Sequence, residues 1–229
     1  ETYIEMAIQY YEWNMEDEAL RILDLAPVHP MVQLWQAWLL DRTGQKSKAE
    51  DKLILAMAAS PEMVFPFRPE MMGLFSWANQ QKPCWKWKYY EALIYWQNNQ
   101  TWHAKSLFNS CGAEPDFVPF YLAKAELFKD ESEIARNSLE MAYQLDPIFL
   151  RTGLSLARFY SKENQNVKAL EVALKNSKSH PGSFIVGLQY AQMLKLSGKY
   201  AEALETLDKL EMLPAEGDVN AHTLFRETN

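Results

Sequence analysis

Apolar positions along the chain recur at helical spacing, and they do so around a regular series of alanines. Ala7, Ala37, Ala92, Ala123, Ala157 and Ala191 stand at one register, and a large side chain follows one turn later at Tyr10, Leu40, Tyr95, Tyr160 and Leu194. A second series, Ala19, Ala49, Ala104, Ala135, Ala169 and Ala203, is spaced by 30, 55, 31, 34 and 34 residues. A further small residue follows seven positions later at Ala26, Ala56, Cys111 and Ala142. Small residues at fixed register let two helix backbones approach closely, so each pair of series reads as two antiparallel helices crossing at their alanines. Prolines Pro30, Pro61, Pro83, Pro115, Pro147 and Pro181 mark the breaks, because proline is tolerated only in the first turn of a helix. The pattern predicts helices over 2–13, 16–26, 31–42, 46–59, 68–81, 85–97, 102–110, 117–128, 131–144, 148–162, 166–178, 183–196 and 200–212, with a last one beginning near Val219.

A period near 34 with two small residues and a closing proline resembles the tetratricopeptide repeat (TPR). The segments "GKYAEALETL", "NVKALEVAL", "SEIARNSLEMAYQLDP", "HAKSLF" and "GQKSKAEDKLILAMAASP" carry that resemblance. It implies an all-α, right-handed solenoid of about six repeats forming a single domain over 1–229. Two repeats are expected over 1–61, an inserted helix in 62–83, four repeats over 84–215 and a truncated unit over 216–229. The insert follows from the spacing of 55 and from Pro66, which keeps "VFPF" extended. Asn99 and Asn164 stand where Gly44 and Gly198 make the turn, since asparagine visits the left-handed region more readily than most residues. Asn176 stands where a small residue is usual, and looser packing is expected there.

Composition agrees with helix: Ala and Leu supply 52 residues against 23 for Val, Ile and Thr. With 23 basic and 30 acidic residues the net charge is −7, which argues against nucleic acid as a partner. The two cysteines, Cys84 and Cys111, are too few for a disulfide framework or a zinc site and read as buried thiols. No run approaches the roughly 18 apolar residues of a membrane span. The chain begins at Glu1 and ends at Asn229 within a predicted helix, as a piece of a longer protein would.

A narrower resemblance rests on "VFPFRPE", "WKYYEALIYWQNNQTWHAKSLF" and "PDFVPFYLAKAEL". These segments are similar to the repeat tails of a family of large bacterial proteins. In that family an uncharacterised β-rich domain, related to carbohydrate-active proteins, precedes the repeats. The resemblance implies a bacterial, multidomain context and, as an alternative function, an accessory helical domain of a carbohydrate-active enzyme.

No phosphate loop, zinc-protease helix, nucleophile elbow or Cys-x-x-Cys pair is present in the sequence, so no catalytic residue, metal or cofactor is expected. His29 and His180 precede repeat-junction prolines and read as turn or cap residues. The TPR resemblance implies a concave groove lined by the first helix of each repeat. It assigns a peptide-binding surface to Trp38, Tyr89, Trp96, Phe120, Lys124, Arg151, Arg158, Lys162 and Lys195, with Asp41 and Lys86 beside them. The expected partner is a protein or peptide with apolar anchors and negative charge, or another domain of the same parent chain. Core packing is the competing role for Trp38, Tyr89 and Trp96. Self-association through the incomplete C-terminal repeat is a third expectation, because an open solenoid end exposes apolar surface.

Overall fold

The computed structural model describes residues 2–210 and 227–228, and among these it contains thirteen helices and no strand. The helix expected over 200–212 ends at Asp208, with Lys209 as its C-cap, and the helix expected near Val219 lies outside the described residues. Two compact units divide the chain, Glu1–Pro115 and Asp116–Asn229.

The first unit holds α1 (Thr2–Glu12), α2 (Glu16–Asp24), α3 (Pro30–Arg42), α4 (Lys46–Ala58), α5 (Met71–Gln81), α6 (Trp85–Gln97) and α7 (Thr101–Ser110). Helices α1 and α2, α3 and α4, and α6 and α7 pack as antiparallel hairpins, while α5 packs on α3 and α6. The second unit holds α8 (Val118–Leu127), α9 (Ser132–Leu145), α10 (Leu150–Lys162), α11 (Asn166–Ser179), α12 (Phe184–Leu196) and α13 (Tyr200–Asp208), again paired in sequence order.

The alanine register explains this pairing. Ala7, Ala37, Ala92, Ala157 and Ala191 are 0% exposed, as are Ala19, Ala104, Ala169 and Ala203, so the hairpins close on contacts no larger side chain would permit. Around them the second unit buries Leu156, Tyr160, Leu139 and Met193 in one cluster. Each such large side chain contributes roughly 1.5–3 kcal/mol when removed from water.

Hairpin turns are equally regular. Asn14, Gly44, Asn99, Asn164 and Gly198 adopt φ between 57° and 80°. One residue further on, an amide donates back to the carbonyl of the gap-filling residue: Met15 to Tyr10 at 3.0 Å, and Gln45, Gln100 and Gln165 to Leu40, Tyr95 and Tyr160 at 2.8 Å each. Lys199 donates likewise to Leu194 at 2.9 Å. This left-handed closure satisfies carbonyls that the helix end would otherwise leave bare.

The α8–α9 hairpin departs from the others. Its turn has no left-handed residue, and the Glu131 amide donates to Phe128 instead, at 2.8 Å. Ala123 is half-buried where its five counterparts are sealed, and Ala125 and Phe128 take the interior instead.

Three helix limits differ from the expected ones for reasons of backbone chemistry. Helix α5 starts at Met71 rather than residue 68 because Arg68 precedes Pro69 and is driven from the helical region. Helix α2 stops at Asp24, and Ala26, which precedes Pro27, lies outside it and half-exposed. Helix α10 begins at Leu150 because the Asp146 carboxylate accepts the amides of Ile148 and Phe149 at 3.0 and 3.1 Å, closing a turn first.

Candidate functional site: first-helix faces and their clefts

In the first unit, Trp38 and Asp41 on α3 meet α5. Trp77 Nε1 donates to Asp41 Oδ2 at 3.0 Å. A Cβ on Gly73 would lie 3.9 Å from the Trp38 ring, so the two helices touch there. Trp38 is half-buried and also leans on Trp35 and Tyr11, with ring centroids 5.2 and 5.1 Å away. The extra helix therefore covers part of the face that the register had assigned to a ligand.

Tyr89 offers no free face. It is 6% exposed, edge-on to Phe108 at 5.7 Å, and burial pushes its hydroxyl up to about 12. Lys86 does not reach a groove either: its ammonium donates to the carbonyls of Met57 and Ala59 at 2.8 and 2.5 Å and so caps α4.

Trp96 remains half-exposed, and with Leu93 it faces Phe65, Pro66 and Phe67 across a shallow cleft of about 420 Å³. The "VFPF" segment is extended, with alternating consequences. Val64 and Pro66 are buried, while Met63, Phe65 and Phe67 point outward at 72%, 71% and 37% exposure. On the other side of this ridge lies a second cleft of about 420 Å³, bordered by Tyr3, Val28, Met31, Met63 and Phe67. The Arg68–Glu5 ion pair, at 2.6 Å, also lines it.

His29 lines the same cleft and acts as the N-cap of α3, its Nδ1 accepting the Met31 amide at 3.2 Å. Burial lowers its pKa from 6.5, which favours the neutral ring that this acceptor role requires. His180 has a similar local role at the end of α11, with Nδ1 3.1 Å from the Asn176 carbonyl.

In the second unit, Phe120 is 0% exposed and packs edge-on to Tyr121 at 5.1 Å, so it is a core residue rather than an anchor for a ligand. Lys124 is half-buried with its ammonium 6.0 Å from the Phe128 ring centroid. Lys195 is held by Glu227 at 2.6 Å. Arg151, Arg158 and Lys162 are exposed on α10, and none forms an ion pair or hydrogen bond with a described residue.

Their spacing of seven and four residues puts the three cations on one side of α10. Nearby carboxylates are already engaged. Glu163 lies 3.5 Å from Arg136 and accepts the Ser132 hydroxyl at 2.9 Å, and Glu126 lies 3.4 Å from Lys129. Arg158 and Lys162 border a cleft of about 280 Å³ whose apolar wall includes Leu122, Leu139 and Phe159.

Among the described residues no group of three or more His, Cys, Asp or Glu side chains is arranged to hold a metal ion. No described helix is long and apolar enough to cross a membrane. Cys111 is buried as expected, with its thiol 3.3 Å from the Leu107 carbonyl, whereas Cys84 is only half-buried; neither forms a disulfide.

No protein-family model matches the chain, and no curated protein matches it in sequence. Solved structures do match. YrrB, a TPR protein with an unusual peptide-binding site, has a TM-score of 0.53 at 15% identity over 89% of each chain. Pseudomonas aeruginosa PilF has a TM-score of 0.53 at 12% identity over 99% of this chain and 94% of its own. MamA AMB-1 gives 0.53 at 14% identity over 83% and 94%. The fold is thus an all-α helical-repeat solenoid of the tetratricopeptide type. The β-rich, carbohydrate-active context suggested by the narrower resemblance finds no support among these neighbours.

Proposed function

We propose that this chain is a non-catalytic interaction scaffold that holds a peptide segment of a partner protein against its first helices. The observation that carries this reading is the trio Arg151, Arg158 and Lys162: three exposed cations along one helix, without partners among the described residues, in a chain of net charge −7. Cations left unpaired beside apolar surface favour a partner that brings carboxylates and apolar anchors together.

The fold it shares with YrrB, a TPR protein with a peptide-binding site, supports the same reading. Trp96 and the outward Phe65 and Phe67 offer the first unit a separate, uncharged contact surface of the kind that exposed apolar patches mark.

Selection from a displayed random-peptide library tests it. The wild-type chain is expected to enrich acidic peptides with apolar anchors. The Arg151→Glu, Arg158→Glu, Lys162→Glu triple variant, with an unchanged circular dichroism spectrum, is expected not to. Equal enrichment on both proteins would refute the role of the cations, and no enrichment on the wild type would refute the scaffold itself.

A further inference from the structure

One residue breaks the repeat at the position that fills the space between paired helices. Three residues after the first-helix alanine the chain reads Tyr10, Leu40, Tyr95, Tyr160 and Leu194, but the α8–α9 hairpin has Glu126. Tyr160 shows what the position does elsewhere: it is 7% exposed, packs in the second unit's core and donates its hydroxyl to Glu140 at 2.7 Å. Glu126 instead lies exposed, turned to Lys129 at 3.4 Å.

Phe128 of the same hairpin turns inward instead, and beside Glu126 the surface is open. Glu126 lines the cleft of about 280 Å³, with Leu122, Leu139 and Phe159 as its apolar wall; Arg158, Lys162 and Lys129 border it, together with Glu163, which Arg136 and Ser132 already engage. Pockets for drug-sized ligands run from about 300 to 1,000 Å³, so this one suits a single side chain. The same hairpin lacks the left-handed turn and the return hydrogen bond to the gap-filling residue. The cleft therefore belongs to a hairpin whose backbone also departs from the others.

We propose that this cleft receives one aromatic or large aliphatic side chain of an acidic peptide, whose flanking carboxylates pair with Arg158 and Lys162. The partner side chain covers the apolar wall beside Glu126, at the register where the other five repeats carry a tyrosine or leucine of their own. A guanidinium and an ammonium without competing partners meet carboxylates by charge-assisted hydrogen bonds, and a desolvated apolar anchor beside them supplies the affinity. The inference rests on the interaction-scaffold reading and assigns it a place and an anchor chemistry.

The test is to fill the cleft from within. Glu126→Tyr and Glu126→Leu restore the residue types of the other repeats and should melt at or above the wild-type temperature. A fluorescein-labelled synthetic peptide with one phenylalanine among aspartates and glutamates should bind the wild type and lose about tenfold or more in affinity on either variant. Replacing its phenylalanine by alanine should weaken binding to the wild type but cost nothing further on Glu126→Tyr, the signature of a shared site.

Undiminished binding to both folded variants would overturn the inference. If the Arg158→Glu, Lys162→Glu protein then loses the peptide, the scaffold reading survives without the cleft. Failure of the peptide to bind wild type overturns the inference as well, and the library selection then decides the scaffold reading separately. Self-association of the wild type that Glu126→Tyr abolishes would give the cleft to a second copy of the chain and likewise overturn the peptide assignment.

Discussion

Gly153 on α10 and Asn176 on α11 fit each other as space and filler. Asn176 is 0% exposed, and a Cβ on Gly153 would come within 2.5 Å of its Cγ. The next repeat repeats the exchange, since a Cβ on Gly187 would meet Leu210 Cδ2 at 2.5 Å. In the earlier repeats the second-helix position is small (Ala26, Ala56, Cys111, Ala142) and the first-helix position carries a side chain (Tyr3, Gln33, Lys88, Pro119). The small residue has changed helices, and the looser packing expected at Asn176 does not occur.

This exchange predicts strong coupling. Gly153→Ala should destabilise the chain by about 1–3 kcal/mol, because the amide has no room to retreat. The double variant Gly153→Ala, Asn176→Ala should recover that loss. It should also exceed the wild type by roughly 1 kcal/mol, since alanine is the better helix former and no buried amide remains without a partner. Additive effects in urea unfolding would contradict the packing described.

The alanine register can be tested by contrast. Ala157→Leu, at a site 0% exposed, should cost about 1–3 kcal/mol by overpacking, whereas Ala123→Leu, half-buried, should stay within about 0.5 kcal/mol. Similar melting shifts for the two would mean that the α8–α9 hairpin follows the common register after all.

His29 links the start of α3 to pH. Its folded pKa lies below 6.5, so the unfolded chain binds the extra proton first and acid weakens the fold. Stability should be fully present above about pH 7 and decline as pH falls through the 6s toward the lowered folded value. Protonated Nδ1 can no longer accept the Met31 amide. In His29→Asn, which caps without titrating, the melting temperature should change less between about pH 7 and pH 5 than in the wild type; parallel curves would remove His29 as the cause.

The contact between α3 and α5 rests partly on Trp77. Trp77→Phe keeps the ring but removes the donor to Asp41, and should cost about 0.5–1.5 kcal/mol. Asp41→Ala made on top of it should add little, which a double-mutant cycle would reveal.

Much of this was legible in the alanines. Helices, hairpin turns at Asn99 and Asn164, the extended "VFPF" and the cap at His29 follow from local rules that tertiary structure has little freedom to override. The ligand-facing residues were harder to read, because register gives the side of a helix but not what lies over it. Phe120 and Tyr89 sit at groove positions and are buried, and Trp38 meets a helix from outside the repeat pattern. Gly153 was invisible as a partner of Asn176 because a missing side chain leaves no periodic signal. Glu126 did leave one: a carboxylate in a series of tyrosines and leucines.

In the proposed function, peptide is held by the first helices of the repeats. Its most direct test is a titration of the isotope-labelled chain with a library-selected peptide, followed by amide chemical shifts. The largest shifts should fall on α8 and α10, around Leu122, Arg158 and Lys162. Shifts confined to α11 and α13, with α8 and α10 unmoved, would contradict it.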